Sequence, residues 1–318
     1  MNATFLDFAT LGADELDSTP LLNVLPNLRI YDTTTPSQVV ERIRDAEIVL
    51  LNKVKLDRAI LRQASKLRCI GLTATGVDNI DLDAAREQGI AVCNVTAYCT
   101  QSVVEHVFGA LLTLTHNLHQ YNAAIRTGAW QESAQFCMLD YPLRELSAMT
   151  MGIVGSGNLG SAVARAAEFF GMQVLFARRA GAAGADDGRI PFDELLQSAD
   201  VISLHCPLND QTAGLIGNRE LALMKNNAIL INTARGGLVD SSALVSAIDA
   251  GQIAGAAVDV LNEEPPSNGD PLLESDNPRL FVTPHIAWAT REARQHSVEQ
   301  LAGNIEAFLR GERRNRID

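Results

Sequence analysis

The sequence has little that would carry it to a membrane, a nucleic acid or a metal. No uninterrupted apolar run in its 318 residues is long enough to span a bilayer. Basic residues are the minority, 26 Lys and Arg against 38 Asp and Glu, for a formal net charge of −12. That argues against a broad nucleic-acid or anionic-membrane surface, which needs clustered Lys and Arg, and leaves room for one local basic pocket. The five cysteines, Cys69, Cys93, Cys99, Cys137 and Cys206, form no CxxC pair. An odd number without a signal peptide reads as reduced, intracellular thiols. The N-terminus lacks a basic n-region and carries an early acid, Asp7, so it does not read as a secretory signal, and the expected location is the cytoplasm. His116 and His119 are spaced to share a helix face, yet no Cys, Asp or Glu lies near them, and no metal is expected. Repeats and low-complexity segments are also missing.

What is present is a globular composition, 47% hydrophobic and 20% charged, in a chain long enough for two domains with full cores. The chain is organised around Gly152-Ile153-Val154-Gly155-Ser156-Gly157-Asn158-Leu159-Gly160. An apolar run from Met149 leads in, and a helical pattern follows to about Phe170. Gly155 allows a sharp reversal, Gly157 lets a pyrophosphate approach the main chain, and Gly160 lets the helix sit close on the sheet. First-turn N–H groups and the helix dipole would face the phosphates. A GxGxxG alone is also an ordinary glycine-rich turn. Here a strand precedes it, a helix follows, and a second strand, Gln173–Ala177, completes a βαβ unit.

Before this turn, apolar runs at Glu47–Leu51, Leu67–Leu72 and Ile90–Cys93 read as buried parallel strands separated by helical stretches, Ser37–Asp45 and Leu56–Ala64. Lys53, in the loop after the first of these strands, reads equally as a substrate contact or a solvated surface lysine. The small residues of Thr73–Asn79 suit either a nest of backbone N–H groups for an anion or a tight turn before a helix starting near Leu82. A helical pattern from Thr100 to about His119 is apolar on most sides, and His106 within it reads as a packed core histidine. Residues 120–148 lack clear periodicity and hold Trp130, Phe136 and Tyr141; they read as a connecting excursion, either an interface arm or a loop packing its own aromatics. After the glycine turn, strands at Ala199–Leu204, Ala228–Ile231, Gly255–Val260 and Leu280–Val282 alternate with helices at Pro191–Gln197, Asn218–Met224 and Ser241–Ala250. Such alternation means a parallel, doubly wound α/β sheet. A long amphipathic helix, about Thr290 to Arg310, closes the pattern.

Three strand-end segments carry ionisable residues in apolar surroundings: Arg235 in INTARGG, Asp259 and Glu264 in DVLNEEPP, and His285 in TPHIAW. An arginine after a buried strand calls for an anion. A histidine after a proline is placed for proton transfer. Each has a bland reading as an ion pair, a solvated acid or a core histidine. All three segments, however, close successive strands of the sheet that carries the glycine turn, where ligands of such sheets collect.

The stretches GLTATGVDNID, NVTAYCTQSVVEH, GIVGSGNLG, LHCPL, INTARGGLVD, AAVDVLNEEPP and TPHIAWATREAR, in this order over nearly the whole length, resemble the D-isomer-specific 2-hydroxyacid dehydrogenases, and among them the bacterial glycerate dehydrogenases or hydroxypyruvate reductases. The resemblance implies two doubly wound parallel-sheet domains. Residues 1–99 with 288–318 would form a flavodoxin-like substrate domain, and residues 100–287 a Rossmann domain for NAD(P), with the site in the cleft between them. It makes His285 the general acid/base, Glu264 the partner that favours its imidazolium, and Arg235 the cation for the substrate carboxylate and carbonyl. Lys53, backbone N–H groups of Ala74, Thr75 and Gly76, and Trp288 would complete the substrate contacts. The cofactor would meet Gly155, Ser156, Gly157, Asn158, Leu159 and Gly160, then His205, Cys206, Pro207, Thr212, Thr233 and Ala234, with Val103, and with Asp259 at the nicotinamide carboxamide. The family is usually dimeric, and the Thr100 helix and the arm from Trp130 suit a symmetric contact.

One departure concerns the cofactor. The acid expected about twenty residues beyond the glycine turn is missing; Arg178-Arg179 stands there, with no acid before Asp186. An arginine pair suits a 2′-phosphate, so NADP(H) is expected over NAD(H); a solvent-facing pair with mixed cofactor use is the other reading. Expected substrates are hydroxypyruvate/D-glycerate and glyoxylate/glycolate. The motifs fit equally a reductase of a longer sugar acid such as 2-ketogluconate, or a dinucleotide-sensing binding protein that keeps the fold. Formate dehydrogenase is disfavoured, because its relatives carry an amide where this chain has Glu264.

Overall fold

The computed structural model describes residues 1–178 and 188–318. The chain divides into two units, Met1–Cys99 with Trp288–Asp318, and Thr100–Ala287.

In the first unit β1 (Ala3–Phe5), β2 (Leu28–Ile30), β3 (Ile48–Leu51), β4 (Cys69–Leu72) and β5 (Ala91–Cys93) form a sheet in the order β2-β1-β3-β4-β5. Every pairing is parallel. This is the flavodoxin-like doubly wound order. All its strands except β2 are buried along their whole length, because one face packs on Ile43, Leu61 and Ala84 and the other on Leu21, Leu301 and Ile305. Helix Arg291–Leu309, capped by the Thr290 hydroxyl, lies directly on β4. A Cβ at Gly71 would sit 2.6 Å from a Leu301 methyl and 2.9 Å from a Leu50 methyl, so a larger residue there would force these side chains to repack between helix and sheet. The C-terminal tail returns to β5. Ile317 N donates to Val92 O, Asn94 N to Asn315 O, and Cys93 pairs antiparallel with Arg316, which covers an otherwise open sheet edge.

In the second unit β6 (Thr150–Val154), β7 (Gln173–Phe176), β8 (Val201–Leu204), β9 (Ile229–Asn232), β10 (Gly255–Val258) and β11 (Leu280–Val282) form a sheet in the order β11-β10-β9-β8-β6-β7. It is parallel throughout. A single parallel bridge from Ala177 to Ile190 continues the order outside β7. Strand order therefore reverses at β6, the switch point of a Rossmann sheet. Helix Asn158–Phe169 makes the first crossover, and helix Thr100–Thr115 packs on it and on β9 and β10.

The two parallel α/β sheets match the fold expected from the sequence. The detail differs in three places. β1 and β2 were not expected: each has a polar or charged middle residue, Thr4 and Arg29, and β2 is a half-exposed edge. The helical pattern from Thr100 stops at Thr115; Asn117 takes φ +49°, and a new helix runs Leu118–Arg126. Part of the supposed excursion is thus helical, and His116 and His119 lie on opposite sides of a break, the latter against the ring of Phe281. Among the described residues no helix is long and apolar enough to cross a membrane.

Candidate active site

The chain reverses after β6 at Gly155, where φ is +103°. A Cβ there would lie 2.6 Å from the His205 carbonyl carbon and 2.7 Å from Cys206 N, so conformation and contact both require glycine. A Cβ on Gly160 would lie 1.9 Å from Gly155 O, which shows how tightly helix Asn158–Phe169 starts against the turn. Gly157, the N-cap, is the opposite case: nothing lies within 4 Å of its Cβ position. Ser156 and Asn158 are exposed, Leu159 half-buried. Helix N–H groups and the positive dipole end therefore meet a space that no side chain fills, a fit for a pyrophosphate.

β8 runs beside β6, and the backbone of His205, Cys206 and Pro207 borders the turn. The His205 ring points back into the fold, with Nε2 2.8 Å from Ser203 Oγ. Burial holds its pKa down to about 4 and pushes the Cys206 thiol up, so both side chains are neutral near pH 7. Thr212 closes the following loop, donating to Pro207 O at 2.7 Å and accepting from Asn209 N at 2.8 Å. Arg178 follows β7; its Nη2 donates to Arg189 O at 3.0 Å, while its buried Nε has no hydrogen-bond partner among the described residues. Arg179 lies outside the described residues. Val103, expected at the cofactor, is buried on helix Thr100–Thr115, 3% exposed.

At the end of β9, the fully buried Asn232 pins the next loop, accepting from Ala234 N at 3.1 Å and donating to Arg235 O at 2.9 Å. Thr233 Oγ1 is buried without a partner among the described residues, and Arg235 Nη1 donates to Ala234 O. Orphaned polar atoms at Thr233 and Arg178, with the open cradle at Gly157, are what a bound dinucleotide would satisfy. A Cβ on Gly236 would be 2.1 Å from the carbonyl carbon of Leu261. The backbone carrying Arg235 thus touches the backbone that leads to Glu264.

Glu264 accepts from Leu261 N through Oε1 at 2.8 Å, and its Oε2 is 2.6 Å from His285 Nδ1. Both side chains are about one-third exposed, 35% and 29%. His285 has φ +56°, a conformation that costs a non-glycine residue about 1–3 kcal/mol unless its surroundings over-determine it. They do so through Asp259, at the end of β10. Its carbonyl accepts from His285 N at 2.7 Å. Its carboxylate, 1% exposed, accepts from Ile286 N at 2.9 Å, Ala287 N at 2.8 Å and Thr283 Oγ1 at 2.5 Å. Asp259 thus holds the His285 segment with three donors, one of them on Oδ2, which leaves acceptor capacity for the expected nicotinamide carboxamide.

In the first unit the exposed Lys53 follows β3, and Asp7, 3% exposed, holds its loop. Asp7 accepts from Asn52 N, Lys53 N and Val54 N at 2.8, 2.6 and 3.0 Å. After β4, Thr75 Oγ1 donates to Val95 O and Asn94 Nδ2 to Thr75 O, at 2.8 Å each. These bonds fix the Ala74-Thr75-Gly76 loop, whose own N–H groups have no partner among the described residues. Trp288 meets Tyr98 edge-on, ring centres 6.4 Å apart.

Residues 108–287 match the family model described as D-isomer specific 2-hydroxyacid dehydrogenase, NAD binding domain. The chain is 42% identical over 310 residues to a glycerate dehydrogenase of Methylorubrum extorquens, covering 97% of this chain and 98% of that one. The chain belongs to the D-isomer specific 2-hydroxyacid dehydrogenases. The dehydrogenase superposes over its full length on an acyclic imino acid reductase solved with NADPH and D-Arg, with TM-score 0.88, 27% identity and all of that chain covered. It does so equally on a D-lactate dehydrogenase of Lactobacillus jensenii solved with NAD+, with TM-score 0.81, 28% identity and 99% of that chain covered. It is a nicotinamide-dinucleotide oxidoreductase of 2-hydroxy acids.

Residues of this dehydrogenase that sequence reasoning did not assign are Asp7, Asn232, Ser203 and Thr283. Their common signal is a polar residue at, or within two positions of, the end of an apolar strand, where an unpaired group would be costly. His106 had been read as core; its Nε2 is 3.1 Å from Thr283 Oγ1.

Proposed function

We propose that this dehydrogenase interconverts small 2-oxo acids and D-2-hydroxy acids, with hydroxypyruvate/D-glycerate and glyoxylate/glycolate as substrates and NADP(H) as the favoured cofactor. The observation that carries the reading is the 2.6 Å contact of His285 Nδ1 with Glu264, on a segment locked by Asp259. Residues Thr100–Ala287 are assigned to the dinucleotide, held by the Gly155–Gly160 turn with Thr233 and Ala234 beside it. Met1–Cys99 with Trp288–Asp318 is assigned to the substrate.

The Gly155–Gly160 turn would hold a reduced nicotinamide dinucleotide, whose chemistry would be hydride supply to the carbonyl carbon of the oxo acid. Negative charge then grows on the carbonyl oxygen, and His285, through Nε2 on the far side of the ring from Glu264, delivers a proton there. Glu264 fixes the ring orientation through its contact with Nδ1. Arg235 pairs with the carboxylate and polarises the carbonyl. The N–H groups of Ala74, Thr75 and Gly76 take the remaining carboxylate charge, and Lys53 and Trp288 are substrate contacts. In the oxidative direction neutral His285 takes the hydroxyl proton.

The NADP preference rests on Arg178, a cation where an acid would hold a ribose 2′-hydroxyl, with a buried Nε that lacks a partner among the described residues. Arg178→Asp should weaken NADPH at least tenfold and leave NADH within threefold; unchanged NADPH affinity removes the assignment. NADPH absorbance should fall on adding hydroxypyruvate. Activity confined to longer sugar acids would favour the 2-ketogluconate reading, and no turnover on a panel of oxo acids would favour a dinucleotide-sensing protein. The five cysteines are free thiols in the structure, which suits the cytoplasm we assign. Exposed Phe136, Leu139 and Phe169, at 90, 75 and 88%, suit a contact with a second copy, and a homodimer is the expected mass in sedimentation.

A further inference from the structure

Helix Thr100–Thr115 carries the end of a motif, TQSVVEH, that the reaction just described does not use. Two of its side chains, one helical turn apart and so on the same face, reach the segment that bears His285. Ser102 Oγ donates to Ala287 O at 2.6 Å, and His106 Nε2 lies 3.1 Å from Thr283 Oγ1. Thr283 and Ala287 are the two ends of the five-residue segment centred on His285, the residue at φ +56°. The Thr283 hydroxyl has one proton and gives it to Asp259 Oδ1 at 2.5 Å. Toward His106 that oxygen can only accept, so Nε2 of His106 must carry a hydrogen. The His106 side chain is 18% exposed, and Nε2 is also 3.7 Å from Asp259 Oδ1, which favours the same Nε2–H form.

We propose that Ser102 and His106 are positioning residues for the proton-transfer histidine. They clamp both ends of Thr283–Ala287, and His106 acts as an Nε2–H donor through Thr283 to Asp259. The inference rests on the reading of His285 as general acid/base. Asp259 grips the segment from the sheet side, and the helix grips it from its other flank. With one grip lost, His285 relaxes toward an ordinary φ and its ring leaves Glu264. A clamp of this kind sets the chemical step and leaves the dinucleotide turn alone.

The test uses the full chain and reads kcat, KM for hydroxypyruvate and NADPH affinity by fluorescence. H106L should lower kcat ten- to fifty-fold with NADPH affinity within twofold. H106Q, whose amide restores a donor, should recover kcat to within fivefold of the parent. S102A should lower kcat three- to tenfold. Histidine-labelled protein should show His106 as the Nε2–H tautomer in long-range ¹⁵N–¹H spectra. The inference is overturned by any of these: kcat within twofold in H106L, H106Q no better than H106L, NADPH affinity falling in step with kcat, or an Nδ1–H tautomer. Should H106L fail to fold, T283V and T283S decide it: valine must lose kcat at least tenfold and serine keep it within threefold, and equal losses overturn the clamp. H285N serves as the separate control. If it keeps full activity, the acid/base reading itself is wrong; if it is inactive while H106L is not, only the clamp is.

Discussion

Asp7 and Asp259 do the same job in the two units, and the difference between them shows how this dehydrogenase ranks its loops. Each is a carboxylate buried just past the end of a parallel strand, and each gathers N–H groups of a neighbouring strand-end loop. Asp7 holds Asn52–Val54 through backbone bonds alone, and no residue of that loop has a positive φ. Asp259 holds a loop whose central residue is in the left-handed region, with a hydroxyl as a third donor. Both loops are restrained, the Lys53 loop by Asp7 and by the Asn79 amide on Asn52 O and Val54 O, but only the loop proposed for proton transfer also carries backbone strain. A side chain that must meet a developing charge needs a fixed geometry, and one that surrounds a substrate does not.

The comparison breaks most decisively at the two aspartates. D259N and D7N each turn an acceptor into an amide facing N–H donors, and each should destabilise the fold by about 1–3 kcal/mol. Their kinetics should diverge. D259N should lower kcat about 100-fold, since about 3 kcal/mol of transition-state positioning goes with the His285 loop. D7N should change kcat less than threefold and raise KM for the oxo acid. Equal kcat losses in variants of equal urea stability would remove the ranking.

A second pair sharpens it within the glycines. Gly236 lets the Arg235 backbone rest on Leu261, where a Cβ would come to 2.1 Å, whereas Gly157 faces open space with ordinary φ. G236A should therefore lose stability, about 1–3 kcal/mol as for other overpacked sites, and at least tenfold in kcat. G157A should melt with the parent and lose NADPH affinity about tenfold, because its methyl would stand where the pyrophosphate approaches. If G157A bound NADPH normally, the cradle would lie elsewhere.

Much of this was legible in the sequence. The glycine turn was readable because its residues answer to backbone geometry over nine consecutive positions, and Arg235, Glu264 and His285 were readable because ionisable groups stand out after apolar strands. Both parallel sheets followed from the alternation of runs. Asp7 was not readable as a loop anchor: its partners are N–H groups 45 to 47 residues away, and a lone acid near the N-terminus carries no sign of that. His106 looked like core because an apolar helical stretch gives a histidine no partner in sequence; Thr283 is 177 residues on. Asp259 was visible as a strand-end acid, but whether it faces a ligand or its own backbone is decided by where three donors lie. β1 and β2 escaped because Thr4 and Arg29 interrupt their apolar runs, whereas β5 and β11, equally short, are unbroken apolar runs.

The smallest expected effect concerns His205, the neutral histidine behind the glycine turn. Burial depresses its folded pKa from 6.5 to about 4. The folded protein therefore binds fewer protons than the unfolded chain between these values. The associated stability is complete above about pH 6.5 and is lost as pH falls toward 4. A shift of this size corresponds to at most about 3 kcal/mol, and solvent reaching the half-buried residue reduces it to about 1–2 kcal/mol. H205Q keeps a partner for Ser203 without the titration. Its urea midpoint should drop less than the parent's between pH 7 and pH 4.5, while the catalytic loop, which does not contain this residue, keeps kcat within threefold. Parallel pH profiles for the two proteins would mean that the ring protonates in the folded state as readily as in the unfolded chain.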